Sequence, residues 1–158
     1  MTDEIGTEKQ ISLDMTLLHG TCISLDGKGV LLLGEPGVGK SDVAFRLLQL
    51  GAKLVADDQV CVEVISSRLW GASPASIRGF LEVRGVGIVK FETIDRACLR
   101  LVVNLVRREF VPRLPEIDHT TVLGLKLPSY NLHAFDISTP EKIAVLVRAQ
   151  TSNLIVDS

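Results

Sequence analysis

A glycine-rich stretch of eight residues has the spacing of a phosphate-binding loop, or P-loop. Its residues, Gly34, Glu35, Pro36, Gly37, Val38, Gly39, Lys40 and Ser41, match G-x-x-x-x-G-K-[ST] without substitution. Glycine permits the backbone torsions that let N–H groups point at phosphate oxygens. The Lys40 ammonium can neutralise β- and γ-phosphate charge, and the Ser41 hydroxyl can bind Mg²⁺. The motif predicts a site for a nucleoside triphosphate or a related phosphate, and does not identify the acceptor.

The segments on both sides of the loop have the order that a P-loop requires. Residues 29–33 are short, apolar and typical of a strand, and residues 42–50 have the apolar spacing of a helix. A glycine turn that matches the motif by chance would not be expected to carry both flanks. We therefore interpret the stretch as strand, phosphate loop and helix.

Two adjacent carboxylates, Asp57 and Asp58, follow a second short apolar run at residues 53–56. In P-loop proteins a carboxylate at the end of a strand often contacts Mg²⁺ or its water shell. If the chain turns there, one carboxylate could serve the metal and the other could accept a proton. An ordinary Asp-rich turn is the alternative, and the pattern alone favours neither interpretation.

Glu82 and Arg84 lie on one face of a predicted strand, just before Gly85-x-Gly87. A surface ion pair worth about 0–1 kcal/mol is the usual interpretation of such a pair. The glycines that follow allow close backbone approach, which favours a site, and both interpretations stay open.

His19 precedes the P-loop strand, where a lone histidine is more often structural. Arg107, Arg108 and Arg113 form a basic cluster in a predicted loop. The cluster is typical of a solvated surface, although one arginine could stabilise charge on a transferred phosphoryl group.

Composition limits the function classes. The chain has 158 residues, 46% hydrophobic and 23% charged, and a net charge of −2, which does not indicate nucleic acid or a membrane surface as a partner. No apolar run reaches the roughly 20 residues needed to span a bilayer. The scattered Cys22, Cys61 and Cys98 indicate buried, reduced thiols in a cytoplasmic protein rather than disulfides or a zinc site.

Strands outnumber helices in the predicted order, which indicates an α/β or α+β fold without regular Rossmann alternation. We predict a flexible N-terminal segment over residues 1–15 and one domain over residues 16–158. Predicted strands cover 16–25, 29–33, 53–56, 60–65, 80–84, 98–106 and 123–127, predicted helices cover 42–50 and 141–150, and predicted loops cover 70–77 and 107–120.

Four segments in this order resemble the catalytic C-terminal domain of bacterial HPr serine kinase/phosphorylase. They are His19-Gly20, residues 29–41, residues 54–60 (L-V-A-D-D-Q-V) and residues 81–88 (L-E-V-R-G-V-G-I). The ordered set is far more specific than the P-loop alone. Departures such as Asp42 in place of glutamate resemble the compact α-proteobacterial type.

The resemblance implies a fold and an activity. The fold is an α/β P-loop variant related to phosphoenolpyruvate carboxykinase, with a strand-rich sheet, a P-loop helix and a C-terminal helix. The activity is ATP- and Mg²⁺-dependent phosphorylation of a serine of the phosphocarrier HPr, together with the reverse phosphorylase reaction. The resemblance also implies a homohexamer and a cytoplasmic location.

The resemblance assigns residues one by one. The catalytic residues it implies are His19, Lys40, Asp58 and Arg113, and the Mg²⁺ ligands are Ser41 and Glu82. Asp58 resembles the residue that takes the serine proton. The alternatives are a small-metabolite P-loop kinase, which the L-E-V-R-G-V-G-I stretch disfavours, and a nucleotide-binding sensor module without transfer activity. Intact Asp58 and Glu82 disfavour the sensor, whereas the shortened C-terminal region favours it.

Overall fold

A nine-stranded sheet is the framework of the protein in the computed structural model, which describes residues 14–74, 79–151 and 154–156. The elements in chain order are β1 (Met15–His19), β2 (Thr21–Leu25), β3 (Lys28–Leu33), α1 (Lys40–Gln49), β4 (Lys53–Ala56), β5 (Gln59–Ile65), β6 (Arg68–Ala72), β7 (Phe80–Val83), β8 (Gly87–Lys90), β9 (Arg96–Leu105), a 3-10 helix (Arg108–Phe110), β10 (His119–Val122), β11 (Leu125–Leu132) and α2 (Thr139–Ala149). The strands of the sheet lie in the order β1-β5-β6-β9-β3-β2-β4, with β11 also on β9 and β10 on β11, while β7 and β8 form a separate hairpin.

Four strands end at the same edge of the sheet. β3 and β11 both run parallel to β9. β2 is antiparallel to β3 and to β4, so β4 runs in the same direction as β3. The carboxyl ends of β3, β4, β9 and β11 therefore meet, together with the first residue of β2, and ligands of α/β sheets bind outside such carboxyl ends.

The central strands are buried on both faces. Ile23, Val30 and Leu32 pack with α1, α2 and the β7 hairpin, whereas Cys22 and Leu31 face the outer strands β5, β6 and β10 on the other side. Strands that are buried on both faces are nearly continuously apolar, which explains the run of leucines in β3. Two hydrophobic clusters thus hold the P-loop strand in a fixed position.

The predicted fold class is confirmed: the protein is a strand-rich α/β fold with two helices, one directly after the glycine-rich loop and one at the C-terminal end of the described fold. The strands predicted at 29–33, 53–56, 60–65, 80–84 and 98–106 correspond to β3, β4, β5, β7 and β9, and the predicted helices correspond to α1 and α2. The relation to phosphoenolpyruvate carboxykinase stays a prediction.

Three local predictions are wrong. Residues 16–25 belong to two strands, β1 and β2, which are separated at Gly20. A Cβ at that position would lie 2.8 Å from the Leu32 carbonyl oxygen, so the backbone passes too close for any other residue. Trp70–Ala72 belong to β6 and not to a loop, since they pair with β5 and β9. Leu123 is the turn of a hairpin rather than the start of a strand, because it has a positive φ of 49° before Gly124.

The predicted flexible segment over residues 1–15 lies mostly outside the described residues, although Met15 already begins β1. Residues 75–77 of the predicted 70–77 loop also lie outside them. Residues 107–120 are largely irregular, as predicted, but contain the 3-10 helix and the start of β10.

The three cysteines are free, as predicted, but only Cys22 is fully buried, while Cys61 and Cys98 are half-buried. Burial raises the pKa of the Cys22 thiol to about 12, so this thiol stays protonated at neutral pH. None of the helices within the described ranges is both long enough and apolar enough to span a bilayer.

Candidate functional site

The P-loop joins the end of β3 to the start of α1. Gly39 has a φ of 112°, and a Cβ there would lie 2.7 Å from the Ala134 Cβ, so only glycine fits this position. The Val38 N–H donates to the Glu35 carbonyl at 3.1 Å and closes a turn within the loop. The first half of the loop, residues 34–37, is exposed and accessible to a ligand.

The Lys40 side chain lies back across its own loop. Its ammonium donates to the carbonyl oxygens of Gly34 at 2.7 Å and Glu35 at 3.1 Å. These contacts place one positive charge at the centre of the loop and near the N-terminus of α1, where the helix dipole also favours an anion.

Asp57 connects three elements around the loop. Its Oδ1 accepts hydrogen bonds from the Thr21 hydroxyl at 2.9 Å and from the Ser41 hydroxyl at 2.8 Å. Thr21 begins β2 and is 1% exposed, Ser41 lies in the first turn of α1, and Asp57 follows β4. Because a hydroxyl donates one hydrogen bond and keeps two lone pairs, Ser41 can still bind a metal ion while it donates to Asp57.

Asp58 differs from Asp57 in its backbone conformation, its exposure and its hydrogen bonds. It has a positive φ of 70°, its carbonyl accepts the Gly20 N–H at 3.1 Å, and its side chain is exposed. The chain therefore turns after β4 and sends the two carboxylates in different directions. Among the described residues, none donates a side-chain hydrogen bond to the Asp58 carboxylate, which is accessible to a proton donor.

His19 lies at the same corner of the sheet as Asp58. It is the last residue of β1, is exposed, and is paired with Gln59, the residue after Asp58. The backbone pairing therefore places the predicted histidine one register position from the predicted proton acceptor.

Glu82 is exposed on β7, whose Leu81 and Val83 pack in the same cluster as α1. Phe80, on the same face of β7 as Glu82, lines a cleft of about 140 Å³ that Asp57 and Asp58 also line. Glu82 itself is not among the described residues that line the cleft. It forms no ion pair with Arg84 in the described part of the chain, so the interpretation as a surface ion pair is not confirmed.

The arginines of the predicted cluster differ in their contacts. Arg113 is exposed in the segment after the 3-10 helix, and none of its contacts connects it to the P-loop. Arg108 instead binds Asp136 through two hydrogen bonds, of 2.9 and 2.7 Å, and holds the pKa of that carboxyl below its usual range.

The sequence did not indicate one aromatic contact of the P-loop. Phe135 is 59% exposed, and a Cβ on Gly39 would lie 2.9 Å from its Cζ, so the ring lies against the end of the loop. His133 meets the Phe135 ring edge to face at 6.0 Å. Arg46 donates to the carbonyls of Ala134 and Asp136 and fixes this segment. No sequence motif links this segment to the P-loop. The two lie together because β3 and β11 end at the same edge of the sheet.

The side-chain oxygens beside the P-loop are of the type that binds Mg²⁺ at nucleotide sites. No group of three or more histidine, cysteine, aspartate or glutamate side chains with metal-site geometry occurs within residues 14–74, 79–151 and 154–156. Mg²⁺ at nucleotide sites is held by one or two carboxylates together with substrate phosphates and water, so such a group is not needed. The paired oxygens of Ser41 and Asp57 at a phosphate loop are ligands of the required type.

Comparisons with known proteins agree on one family. The family model of the HPr Serine kinase C-terminal domain matches residues 10–158. The HPr kinase/phosphorylase of Thermoanaerobacter sp. strain X514 is 49% identical over 148 residues, which are 86% of this chain and 48% of that protein. That of Cupriavidus metallidurans is 36% identical and covers 93% of this chain and 48% of its own length. The chain thus spans about half the length of these relatives.

A solved structure has the same fold. The Hpr(Ser) kinase/phosphatase from Coxiella burnetii superposes with a TM-score of 0.76 at 26% identity, over 85% of this chain and 90% of that one.

We predict that Asp57→Ala lowers the free energy of unfolding by about 1–3 kcal/mol, because the buried Thr21 hydroxyl loses its acceptor. Asp58→Asn is the matched control and should change stability by less than about 0.5 kcal/mol, since asparagine tolerates a positive φ and the side chain is exposed. Urea denaturation followed by circular dichroism measures both. Equal losses in the two variants would contradict the role of Asp57 as the structural link.

Proposed function

The chain belongs to the HPr Serine kinase C-terminal domain family, and on this basis we propose that it transfers the γ-phosphoryl group of ATP to a serine hydroxyl of HPr. One observation carries the proposal. An intact P-loop adjoins two carboxylates in different states: Asp57 is hydrogen-bonded to Ser41, and Asp58 is exposed and receives no side-chain hydrogen bond from the part of the chain that the structure describes. These are the two functions that phosphoryl transfer needs beside a phosphate loop, metal support and proton acceptance.

The P-loop binds the nucleotide phosphates in this proposal. The Lys40 ammonium exchanges one or both of its carbonyl contacts in the loop for β- and γ-phosphate oxygens. Ser41 and Glu82 would hold Mg²⁺, with Asp57 orienting the Ser41 hydroxyl so that its lone pairs face the ion. When bound, Mg²⁺ supplies neutralisation of the phosphate charge.

Asp58 accepts the proton of the acceptor serine. Its carboxylate is exposed at the cleft, where a protein substrate can reach it, and its positive φ turns it away from the Ser41 contact. His19, next to it at the end of β1, would orient the acceptor. Arg113 would stabilise charge on the transferred group if the exposed segment that carries it moves toward the P-loop.

The same residues support the reverse reaction. By microscopic reversibility, a carboxylate that accepts the serine proton returns it when inorganic phosphate attacks phosphoserine. The serine oxygen then leaves with that proton, and phosphate takes up the phosphoryl group to form pyrophosphate. HPr as partner, ATP and Mg²⁺ as cofactors, hexamer assembly and a cytoplasmic location all belong to this proposal.

A small-metabolite kinase is less well supported. The relatives carry the name HPr kinase/phosphorylase, which supports a protein acceptor. A sensor module without transfer activity would not need an exposed carboxylate beside an intact P-loop.

We predict that Mg²⁺ and γ-labelled ATP lead to labelling of one serine of purified HPr, and that Lys40→Ala lowers the rate by roughly 10²–10³-fold, the usual loss for one preorganised donor to a charged transition state. Lys28→Ala, at the opposite end of β3, is the control and should keep the wild-type rate. Mass spectrometry locates the label. Tight nucleotide binding without label on HPr would support the sensor, and equal rates in the two variants would exclude the P-loop assignment.

We predict that Glu82→Gln shifts the Mg²⁺ dependence of transfer to higher concentration and leaves the unfolding free energy unchanged. The amide keeps the shape of the side chain but loses the charge that a Mg²⁺ ligand supplies, and the residue is exposed. Arg84→Gln, in the adjacent turn, is the control. Superimposable Mg²⁺ titrations of wild type and Glu82→Gln would show that Glu82 is not a ligand.

A further inference from the structure

Phe135 places an exposed aromatic ring against the end of the P-loop. A Cβ on Gly39 would lie 2.9 Å from the Phe135 Cζ and 3.3 Å from its Cε1, so the ring atoms that approach the loop are those of its outer edge. The residue is nevertheless 59% exposed. Much of the ring therefore remains accessible to a molecule that the P-loop holds.

The segment that carries this ring is held in place on both sides of Phe135. Arg46, on the helix that follows the P-loop, donates to the carbonyls of Ala134 and Asp136. Arg108 binds the Asp136 carboxylate through two further hydrogen bonds. Because the backbone is already fixed, the ring loses little conformational freedom when a ligand packs on it, and little of the stacking energy is offset by ordering.

The P-loop strand lies between Phe135 and Asp58. On one side of β3 come β2 and then β4, and Asp58 follows β4. On the other side come β9 and then β11, and Phe135 follows β11. Since neighbouring strands are about 4.8 Å apart, the ends of β4 and β11 each lie roughly 10 Å from the end of β3, in opposite directions.

This arrangement fits the geometry of phosphoryl transfer. The attacking and leaving oxygens lie roughly in line, on opposite sides of the transferred phosphorus. With Asp58 as the proton acceptor, the attacking hydroxyl approaches from the β4 side of the loop. The leaving diphosphate, with its ribose and base, therefore extends toward the β11 side, where Phe135 lies against the loop.

We propose that the Phe135 ring is a nucleobase platform, which stacks on the base of the nucleotide whose phosphates the P-loop binds. This inference rests on the proposed function for the direction in which the nucleotide extends. His133 meets the ring edge to face at 6.0 Å and helps to fix its orientation. Because every base has a π-face, the platform favours a nucleotide over an inorganic polyphosphate and accepts adenine and guanine alike.

The test measures by calorimetry how tightly the full chain binds ATP, GTP and inorganic tripolyphosphate, each with Mg²⁺. The three probes carry equal numbers of phosphate groups, and only the first two carry a base. We expect Phe135→Ala to weaken ATP and GTP alike by about 5- to 150-fold, the usual contribution of one stacked base, and to change tripolyphosphate affinity by less than about twofold. Ile137→Ala, two residues further along and 93% exposed, is the matched control and should keep all three affinities.

Phe135→Trp provides a second measurement that does not depend on a loss of affinity. The indole keeps a stacking face, so ATP affinity should be retained, and its fluorescence should be quenched by ATP and GTP but not by tripolyphosphate. The wild-type chain is the control, because its only tryptophan, Trp70, pairs with Cys98 near the start of β9, away from the P-loop. Its fluorescence should not distinguish the three probes.

Lys40→Ala separates the platform from the P-loop, because it should weaken all three probes. Equal losses of ATP and tripolyphosphate affinity in Phe135→Ala would overturn the proposal, since the ring would then only shape the loop. Unchanged ATP affinity in Phe135→Ala would also overturn it, even in a chain that labels HPr. Selective loss of ATP and GTP affinity in a chain that does not label HPr would support the platform and contradict only the proposed acceptor. Circular dichroism of each variant confirms that a lost affinity does not come from unfolding.

Discussion

The contact on which the site depends is a single carboxylate oxygen that accepts two hydroxyl hydrogen bonds. Oδ1 of Asp57 joins Thr21 at the start of β2 to Ser41 in the first turn of α1. Three segments that are distant in sequence are thereby fixed at one point beside the P-loop. Because Asp57 is engaged in this way, its neighbour Asp58 is the carboxylate that remains available to a substrate. The separate states of two adjacent aspartates follow from one turn of the backbone after β4.

The sheet makes this contact possible. Parallel pairing of β3 with β9, and of β9 with β11, brings their carboxyl ends to the edge where β4 also ends. Burial of the central strands on both faces prevents this edge from shifting, since any movement would disturb two hydrophobic clusters at once. One strand, β9, therefore positions both the P-loop strand β3 and the strand β11 that leads to the segment next to the P-loop.

Much of this arrangement could be predicted from local sequence. The P-loop, its strand and helix, and the strand before Asp57 depend on glycine positions and short apolar runs, which act locally. The hairpin at Leu123 was not predicted because its turn begins with a leucine in a positive-φ conformation, and the strand at Trp70 was not predicted because it pairs with β9, which is distant in the chain. The arrangement of the site also depends on residues that are distant from one another in the chain.

Asp57 and Asp58 are identical in type, and they are distinguished by the Thr21 and Ser41 hydroxyls that bind Asp57 and by the positive φ of Asp58. Phe135 reaches the P-loop only through the parallel register of β11. Arg113 stays a prediction, since the described contacts do not connect it to the loop.

The most direct measurement of the central claim is the single-turnover rate of phosphoryl transfer to HPr in Asp57→Asn and Asp58→Asn, with nucleotide affinity measured in parallel. We expect Asp58→Asn to lose roughly 10²–10⁴-fold in transfer, the typical contribution of a general base, and to keep its nucleotide affinity. Asp57→Asn is expected to weaken Mg²⁺-nucleotide binding, and saturating Mg²⁺ should restore part of its rate. Pyrophosphate formation from phospho-HPr and phosphate should fall in parallel with forward transfer in Asp58→Asn. Wild-type transfer by Asp58→Asn, with transfer lost in Asp57→Asn at saturating Mg²⁺, would contradict the account and reverse the roles of the two aspartates.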